Sequence, residues 1–210
     1  MTPTIVDEKE FPYLLIDNFF EKKELSQIWN EINYLYNNKY FFESSRDKNS
    51  GHNNNEPLAK NSRCYPNQVL TYGQIQKSFL FNYVKKIQNK NFHKLVEETF
   101  KNSNYALYKT FLGLNRSNLV INHYDNNEEY KEHFDQFQFS MITWLHEEPK
   151  NYKGGDFILT KNNRKIESLN NRCILFPGFY YHKVEPIKYL KNKNVKGRFS
   201  INRFFYTVYE

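Results

Sequence analysis

The sequence predicts a chain of the α+β class that is mainly β, with helices at its N-terminal end packed on a β-rich C-terminal part. Two observations predict this class. Residues 19–38 and 75–100 carry apolar side chains at helical spacing, whereas short aromatic and β-branched runs separated by Gly, Pro and Asn follow residue 104. Many short strands at regular spacing are typical of a sandwich or barrel. Residues 105–210 are numerous enough for two sheets to bury a core between them.

The N-terminal elements follow from the apolar pattern. Residues 13–16 form a short apolar run that predicts a strand. The next helix is predicted by apolar residues three and four apart, which are Leu25, Ile28, Trp29, Ile32 and Leu35. Residues 43–62 are polar and contain Gly, Pro and an Asn triplet, so we interpret them as a mobile loop, either solvated or serving as a lid. One or two further helices are expected over residues 75–100.

Length and charge limit the organisation of the chain. The 210 residues fit a single domain, 1–210, in which residues 1–104 form the strand and helices and residues 105–210 form the core. The 30 Lys and Arg exceed the 23 Asp and Glu, which gives a net charge of +7. Because these charges are scattered, a solvated basic surface is the first interpretation, and a nucleic acid or acidic partner is the alternative.

The cysteines and the N-terminus predict the compartment. Cys64 and Cys173 are far apart and lack a CxxC spacing, which argues against a disulfide framework or a thiolate zinc site. The acidic N-terminus has no long apolar core, and no stretch approaches the length of a membrane span. We therefore expect a cytoplasmic protein that has no membrane partner.

The triplet His-Phe-Asp at residues 133–135 carries the chemical signal of the sequence. Residues i and i+2 of a strand point to the same face, so His133 and Asp135 can direct an imidazole and a carboxylate at one point. Two His and one carboxylate suit non-haem Fe(II). His182, which follows a Pro–Gly turn in a β-rich run, is the leading candidate for the third ligand. A second triplet, His123–Asp125, is the alternative to His133 and Asp135.

Arg198 is the second chemical signal. It begins the run GRFSINRFF, and a strand arginine that points into a sandwich requires an anion. A guanidinium binds a carboxylate through two parallel hydrogen bonds. We therefore expect a dicarboxylate that binds the metal at one end and Arg198 at the other.

With these motifs in order, the sequence resembles the 2-oxoglutarate/Fe(II)-dependent dioxygenases, in particular the prolyl 4-hydroxylase-like branch that includes the bacterial PKHD-type hydroxylases. The resemblance covers about residues 105–206, and YLLIDNFFEKKELSQIW near the N-terminus also looks like the opening of that family. The shared elements are Tyr-x-x-His-x-Asp at 130–135, Gly-Gly at 154–155, Phe-Pro-Gly before His182, and Gly-Arg at 197–198.

The resemblance implies a fold, an activity and cofactors. The fold would be a double-stranded β-helix, that is, a jelly-roll or cupin-like core with the N-terminal helices packed on it. The cofactors would be Fe(II) and 2-oxoglutarate, with ascorbate in a supporting role. The reaction would use O2 to hydroxylate a C–H bond of a peptidyl or small-molecule substrate, with succinate and CO2 as coproducts.

The resemblance also implies a role for each candidate residue. His133, Asp135 and His182 would bind the metal. Arg198 and Tyr124 would bind the distal carboxylate of 2-oxoglutarate. Trp144 and Thr143 would line the pocket of this cosubstrate, and Tyr130 would lie on the substrate side.

Two departures from the family pattern leave alternatives open. The family's Gly between the two tyrosines is replaced by Asn126 and Asn127, and Asn tolerates a positive φ. The interval between His182 and Arg198 is long and contains a polar stretch at 187–196, interpreted as a hairpin tip, so Arg203 is the rival cosubstrate arginine. A nucleic-acid demethylase of the same fold and a non-catalytic cupin-like binding module are the alternative functions.

Overall fold

The computed structural model describes residues 2–6, 10–48, 50–53, 56–102, 106–190 and 196–209. No helix within these ranges is both long and apolar enough to cross a membrane. The α-helices that the structure describes all precede residue 101 and are α1 (Lys22–Asn37), α2 (Pro66–Val69), α3 (Tyr72–Lys77), α4 (Phe79–Asn82), α5 (Val84–Ile87) and α6 (Lys90–Phe100). The N-terminal helices expected from apolar spacing are therefore present.

The strands are short and lie on both sides of the helical region. In chain order they are β1 (Thr2–Val6), β2 (Tyr13–Asp17), β3 (Phe42–Glu43), β4 (His52–Asn53), β5 (Glu56–Pro57), β6 (Ala59–Lys60), β7 (Ser62–Cys64), β8 (Arg116–Tyr124), β9 (Glu129–His133), β10 (Phe139–His146), β11 (Tyr152–Gly154), β12 (Phe157–Leu159), β13 (Arg164–Ile166), β14 (Arg172–Pro177), β15 (His182–Val184), β16 (Ile187–Tyr189) and β17 (Arg198–Tyr206). Two larger sheets contain most of them.

The larger sheet has eight antiparallel strands in the order β1-β2-β14-β10-β17-β8-β7-β3. Every residue of its central strand β10 is buried, because both faces of the sheet are covered. Along β17, Arg198, Ser200 and Asn202 face the second sheet, whereas Phe199 and Arg203 face the helices. This alternation decides which side chains reach the space between the sheets.

The helices cover the outer face of the larger sheet through aromatic contacts. The Trp29 ring of α1 packs edge-on against Phe199, with 5.8 Å between ring centroids. Phe111 makes the same kind of contact with Phe205 at 5.3 Å. The predicted arrangement, helices packed on a mainly β core, is confirmed.

The smaller sheet has five strands in the order β13-β12-β15-β9-β6 and faces the inner side of the larger one. Strand β15 lies between β12 and β9, and His182 on β15 is directly opposite His133 on β9. Two distant parts of the sequence therefore meet on one pair of strands. The two sheets together form the double-stranded β-helix that the sequence predicts.

Two expectations about where the β structure begins are corrected. The first aromatic run after residue 104, YALYKTFLGL, has the composition of a strand, but Ala106–Gly113 forms a 3₁₀ helix, in which Phe111 is buried against Phe92, Phe139 and Phe205. Among residues 109–113, whose burial is described, Phe111 alone is buried, so the segment lacks the alternating burial of a strand. The N-terminal part also contributes both edges of the larger sheet, through β1 and β2 on one side and β7 and β3 on the other.

Residues 43–62 contain more structure than a polar loop. Their described parts form strands β3 to β6 and the start of β7, and Ser44, Asp47 and Ser50 are buried. Strand β6 pairs with β9, beside His133. The segment therefore adjoins the site, as the lid interpretation requires, and its mobility stays a prediction.

Candidate active site

Three side chains from two strands and the turn after β9 converge between the sheets. The Nε2 atom of His133 lies 3.8 Å from Asp135 Oδ1, and Nε2 of His182 lies 3.8 Å from Asp135 Oδ2. Their candidate ligand atoms all lie within 4.8 Å of one another. The side chains are at most 13% exposed. The structure thus brings the three predicted ligands together, and their metal-binding role remains a proposal.

The backbone orients both imidazoles in the same way. Nδ1 of His133 donates to the carbonyl of Lys131, and Nδ1 of His182 donates to the carbonyl of Tyr180, both at 2.8 Å. In a neutral imidazole, a protonated Nδ1 leaves the Nε2 lone pair free to bind a metal. A carbonyl that fixes the ring in this tautomer is a common feature of metal-binding histidines.

Burial keeps the His133 imidazole neutral, which is the form that binds a metal. Burial, together with the nearby His182, holds the pKa of His133 well below its ordinary value, so the ring is neutral at neutral pH. Burial raises the pKa of Asp135, and His182, Ser140 and Arg63 oppose this effect. The Ser140 hydroxyl donates to Asp135 Oδ2 at 2.5 Å and orients the carboxylate. A divalent cation would offset the effect of burial and favour the ionised carboxylate.

Gly178 positions Asp135 through the backbone. Its carbonyl accepts a hydrogen bond from the Asp135 amide at 2.8 Å. A Cβ at position 178 would lie 2.1 Å from the Phe137 carbonyl oxygen, which no side chain can do without backbone movement. The glycine of the Phe-Pro-Gly motif therefore lets the backbone after β14 lie directly against the residues that follow β9.

Arg198 lies buried at the other end of the cavity that the triad lines. Its guanidinium stacks on the ring of Tyr124, 4.3 Å from the ring centroid, and one nitrogen donates to the Gly155 carbonyl. Within the described residues no carboxylate lies within 4.0 Å of the guanidinium, and its Nε has no hydrogen-bond partner. Burial lowers the pKa of Arg198. A carboxylate ligand would offset the cost of burying this charge.

Two of the three other predicted cosubstrate residues lie at this pocket. Tyr124 and Trp144 line the cavity, whereas Thr143 does not. Placing Thr143 there was wrong, because neighbouring residues of a strand point to opposite faces. Thr143 pairs with Cys173 and Ile201 on the outer face of the sheet. Burial raises the pKa of the Tyr124 hydroxyl to about 12, so it stays protonated and can donate a hydrogen bond.

An outer cleft adjoins the triad on the side away from Arg198. Tyr130 lies at its junction with the inner cavity and stacks on His133, with ring centroids 3.6 Å apart. The Tyr130 hydroxyl accepts a hydrogen bond from the Gly51 amide at 3.3 Å, which connects the 43–62 segment to the site. Phe134 and Phe137 also line this cleft. The position of Tyr130 fits the predicted substrate side, and its role remains a proposal.

The rival residues of the sequence analysis lie elsewhere. His123 is buried on the outer face of the larger sheet against Phe199, with ring centroids 4.6 Å apart, and Asp125 accepts a hydrogen bond from Tyr189. Arg203 also faces outward and donates to the Leu80 carbonyl at 3.0 Å. Asn127 adopts φ 63°, the positive value expected at the turn that lacks the family's Gly. The hairpin tip expected within 187–196 falls largely on residues 191–195, outside the described residues.

Fold and site together define a class of protein. Two antiparallel sheets form a double-stranded β-helix, and the space between them holds two histidines, one carboxylate and a buried arginine. This donor set, with an open side toward the cavity, is typical of non-haem Fe(II) oxygenases.

Comparisons with known proteins agree with this class. Residues 119–206 match the family model described as the 2OG-Fe(II) oxygenase superfamily, and they include all the residues of the triad and Arg198. No curated protein matches the chain. Over residues 119–206, 88 of the 210 residues, the chain is similar to the 2OG-Fe(II) oxygenase superfamily, whose description names 2-oxoglutarate and Fe(II).

Similar solved structures share the fold. A prolyl-4-hydroxylase of Pseudomonas putida is 12% identical with a TM-score of 0.63, over 93% of this chain and 92% of that chain. A prolyl hydroxylase from Trichoplax adhaerens, solved with a peptide of the hypoxia inducible factor oxygen degradation domain, is 15% identical with a TM-score of 0.64, over 92% and 83%. A viral collagen prolyl hydroxylase of Paramecium bursaria Chlorella virus-1, solved as a 2OG complex, is 14% identical with a TM-score of 0.53, over 93% and 96%.

Sequence reasoning missed several residues of the cavity. Ser140, Asn122 and Asn202 face it, and Arg63 lies near the triad on the outer side. Strand parity counted from Tyr124 and Arg198 would have found the two asparagines, since they lie two and four residues away on the same strands. No local pattern points to Ser140 or Arg63, because strand pairing and the 43–62 segment bring them there.

Proposed function

We propose that the chain is an Fe(II)- and 2-oxoglutarate-dependent dioxygenase that hydroxylates a C–H bond of a peptidyl or small-molecule substrate. Succinate and CO2 would be the coproducts. The observation that carries this proposal is that one cavity holds the His133, Asp135 and His182 donor set and, at its far end, a buried arginine that forms no ion pair with a carboxylate of the described residues. A small dicarboxylate could bind a metal at the triad with one carboxylate and Arg198 with the other, because both line the same cavity.

The residues present fit the two cofactors. His133, Asp135 and His182 would hold Fe(II), which when bound together with 2-oxoglutarate supplies the oxidising chemistry. Arg198 would bind the distal carboxylate through a bidentate contact, and Tyr124 would donate a hydrogen bond to it. Trp144 and Phe157 exclude water from the space between these groups.

Residues of the outer cleft would position the substrate. Tyr130 stacks on His133 and holds the segment that contains Gly51 at the cleft entrance. Phe134 and Phe137 provide an apolar wall for the substrate. A substrate bound there would present its C–H bond to the open side of the triad, and the same wall would limit the access of water.

The test is 2-oxoglutarate turnover that depends on Fe(II). The purified protein should convert 2-oxoglutarate to succinate under air when Fe(II) is supplied, and a chelator should stop the reaction. Pooled candidate substrates should increase the rate, and mass spectrometry should find one added oxygen atom in the product. Succinate formation that is equal with and without Fe(II) would contradict the proposal.

The nucleic-acid demethylase alternative loses support in the structure. Demethylases of this fold typically carry two arginines on the last strand, for which Arg198 and Arg203 are the candidates here. Arg203, however, faces the helices. Its nitrogens donate to the Tyr83 hydroxyl at 3.3 Å, the Ser117 hydroxyl at 2.9 Å and the Leu80 carbonyl. Arg203 therefore anchors helix α4 on the sheet, and Arg198 is the arginine that faces the cavity.

A further inference from the structure

Unpartnered polar atoms concentrate in the cavity of the candidate active site. Among the described residues, six buried side-chain nitrogen or oxygen atoms have no hydrogen-bond partner. Three of the six belong to residues that line this one cavity, namely Arg198 Nε, Asn122 Oδ1 and Asn202 Nδ2. Buried polar groups are nearly always paired, so a cluster of unpaired ones indicates a ligand that pairs them. The Arg198 atom belongs to the proposed cosubstrate site, which leaves the two asparagines to be explained.

Asn122 and Asn202 are neighbours on one face of the larger sheet. Asn122 on β8 is opposite Ser200 on β17, and Asn202 is opposite Val120, so the two asparagines are diagonal neighbours. Diagonal pairs of this kind have Cβ atoms about 7 Å apart, which leaves room for one small group between their ends. Asn122 is 9% exposed and Asn202 3%. Both side chains are therefore built into the wall of the cavity.

The two asparagines lie toward the substrate end of the cavity. Asn202 is four residues beyond Arg198, about 13 Å along the strand, and Asn122, opposite Ser200, is about 7 Å along it. A five-carbon dicarboxylate anchored at Arg198 is roughly 6 Å long, judged from carbon–carbon bonds near 1.5 Å. Asn122 also lines the outer cleft. Their unpaired atoms are thus placed to contact the substrate near its reacting carbon.

We infer that Asn122 and Asn202 bind an amide group of the substrate next to the carbon that is hydroxylated. This inference rests on the proposed function and deepens it. A carboxamide side chain is both a donor and an acceptor, so the pair offers one of each to a group that also has one of each. An amide, with its N–H and C=O, is such a group.

The charges around the pair favour a neutral group. Arg63, the nearest cation on the outer side, is 2.9 Å from the Asp47 carboxylate and is thereby neutralised. Lys48 lines the same cleft but is exposed. The rest of the cleft combines aromatic rings, such as Tyr130 and Phe137, with neutral polar side chains that include Asn118 and Gln136. A substrate carboxylate would lose its water here without gaining an unpaired buried side-chain cation among the described residues of the cleft, which is costly.

The test uses nuclear magnetic resonance on the full chain labelled with ¹⁵N and loaded with Zn(II) and 2-oxoglutarate. N-methylacetamide, methyl acetate and sodium acetate are added separately as probes, and the side-chain amide signals of Asn122 and Asn202 are followed. Asn171 is the internal control, because its buried carboxamide is already bonded to the backbone of Phe20 at both ends. Asn122→Ala and Asn202→Ala assign the signals.

The expected result is a saturable shift of both signals with N-methylacetamide, a much smaller shift with methyl acetate, which has no donor, and no movement of Asn171. Equal shifts with all three probes, or no shift with any, would overturn the inference. So would a loss of about tenfold or more in 2-oxoglutarate affinity in either variant, since the residues would then be cosubstrate contacts. A protein that binds neither Zn(II) nor 2-oxoglutarate would instead contradict the proposed function.

Discussion

Arg198 is a charged side chain that is almost completely buried. It is 1% exposed, stacks on Tyr124 and has an unpartnered Nε. An unpaired buried charge costs several kcal/mol of stability. An anion that enters the cavity would therefore bind favourably, because it would pair with the Arg198 guanidinium. The distal carboxylate of 2-oxoglutarate fits this requirement.

Arg198→Ala should raise the KM for 2-oxoglutarate and leave metal affinity nearly intact. The loss of a charge-assisted bidentate contact, about 2–4 kcal/mol, corresponds to roughly 30- to 1000-fold. Arg198→Lys should recover only part, because an ammonium cannot form two parallel bonds. Arg203→Ala is the matched control and should lower stability without changing this KM. Steady-state kinetics would oppose the assignment if Arg203→Ala alone showed the defect.

His123 predicts a pH dependence of stability at a site away from the cavity. Burial lowers its pKa below the ordinary 6.5, so below pH 6.5 the unfolded chain binds a proton that the folded chain does not. Stability from this residue is therefore present above pH 6.5 and is lost as the pH falls toward the folded-state pKa. The slope is at most about 1.4 kcal/mol per pH unit.

His123→Gln should remove this contribution. The stability advantage of the wild type over the variant should shrink as the pH falls below 6.5, because only the wild type has this proton to bind on unfolding. Urea unfolding at several pH values measures the difference. A difference that is constant with pH would mean that His123 titrates alike in both states.

At the scale of elements, the 43–62 segment is held by a buried ion pair. Arg63 on β7 donates to Asp47 at 2.9 Å and to the Ser44 hydroxyl at 2.9 Å, and the Tyr65 hydroxyl donates to the same Asp47 oxygen at 2.6 Å. The side chains of Arg63 and Asp47 are 6% and 7% exposed. This cluster fixes one end of the segment beside the outer cleft.

Asp47→Ala should destabilise the protein by about 3–5 kcal/mol, because it leaves Arg63 charged, buried and without its carboxylate. Glu43→Ala, which breaks the exposed Arg46–Glu43 pair in the same segment, should cost less than about 1 kcal/mol. Chemical denaturation compares the two variants. Similar small losses in both would show that the buried pair contributes little to the attachment of the segment.

The same segment should behave as a lid. Backbone hydrogen exchange across residues 50–60 should slow when Zn(II) and 2-oxoglutarate bind, since Gly51 contacts Tyr130 and Tyr130 stacks on His133. Exchange in helix α6, which is remote from the site, serves as the reference. Exchange that is unchanged by ligands throughout the segment would leave it as a fixed wall of the cleft.

Local pattern predicted the elements but not how the edges of the sheets are built. The apolar spacing of Ile28, Ile32 and Leu35 identified α1, and strand parity placed His133 and Asp135 on one face. The same parity rule, applied to Thr143, would have excluded it from the pocket. Strands of two or three residues such as β3 and β7 carry no periodicity of their own, so only their pairing partners specify them.

At the scale of the whole molecule, the site depends on contacts between residues far apart in sequence. The triad joins positions 133–135 to 182, and the cosubstrate end adds 124 and 198. The order of the motifs along the sequence could predict these site residues, because each motif lies next to a turn or strand that the local pattern identifies. Strand parity could have placed Asn122 and Asn202 at the cavity, but not side by side, because that follows from the register of β8 and β17. The Arg63 cluster could not be predicted, because the buried partner of Arg63 is specified only by the folded 43–62 segment.

The most direct test of the central claim is an anaerobic titration of the protein with Fe(II) and then 2-oxoglutarate, measured by calorimetry. The wild type should bind one Fe(II) per chain and should bind 2-oxoglutarate more tightly once the metal is present. His133→Ala and His182→Ala should lose both events, whereas His93→Ala, on helix α6, should retain them. Full binding of Fe(II) by His133→Ala and His182→Ala would contradict the account.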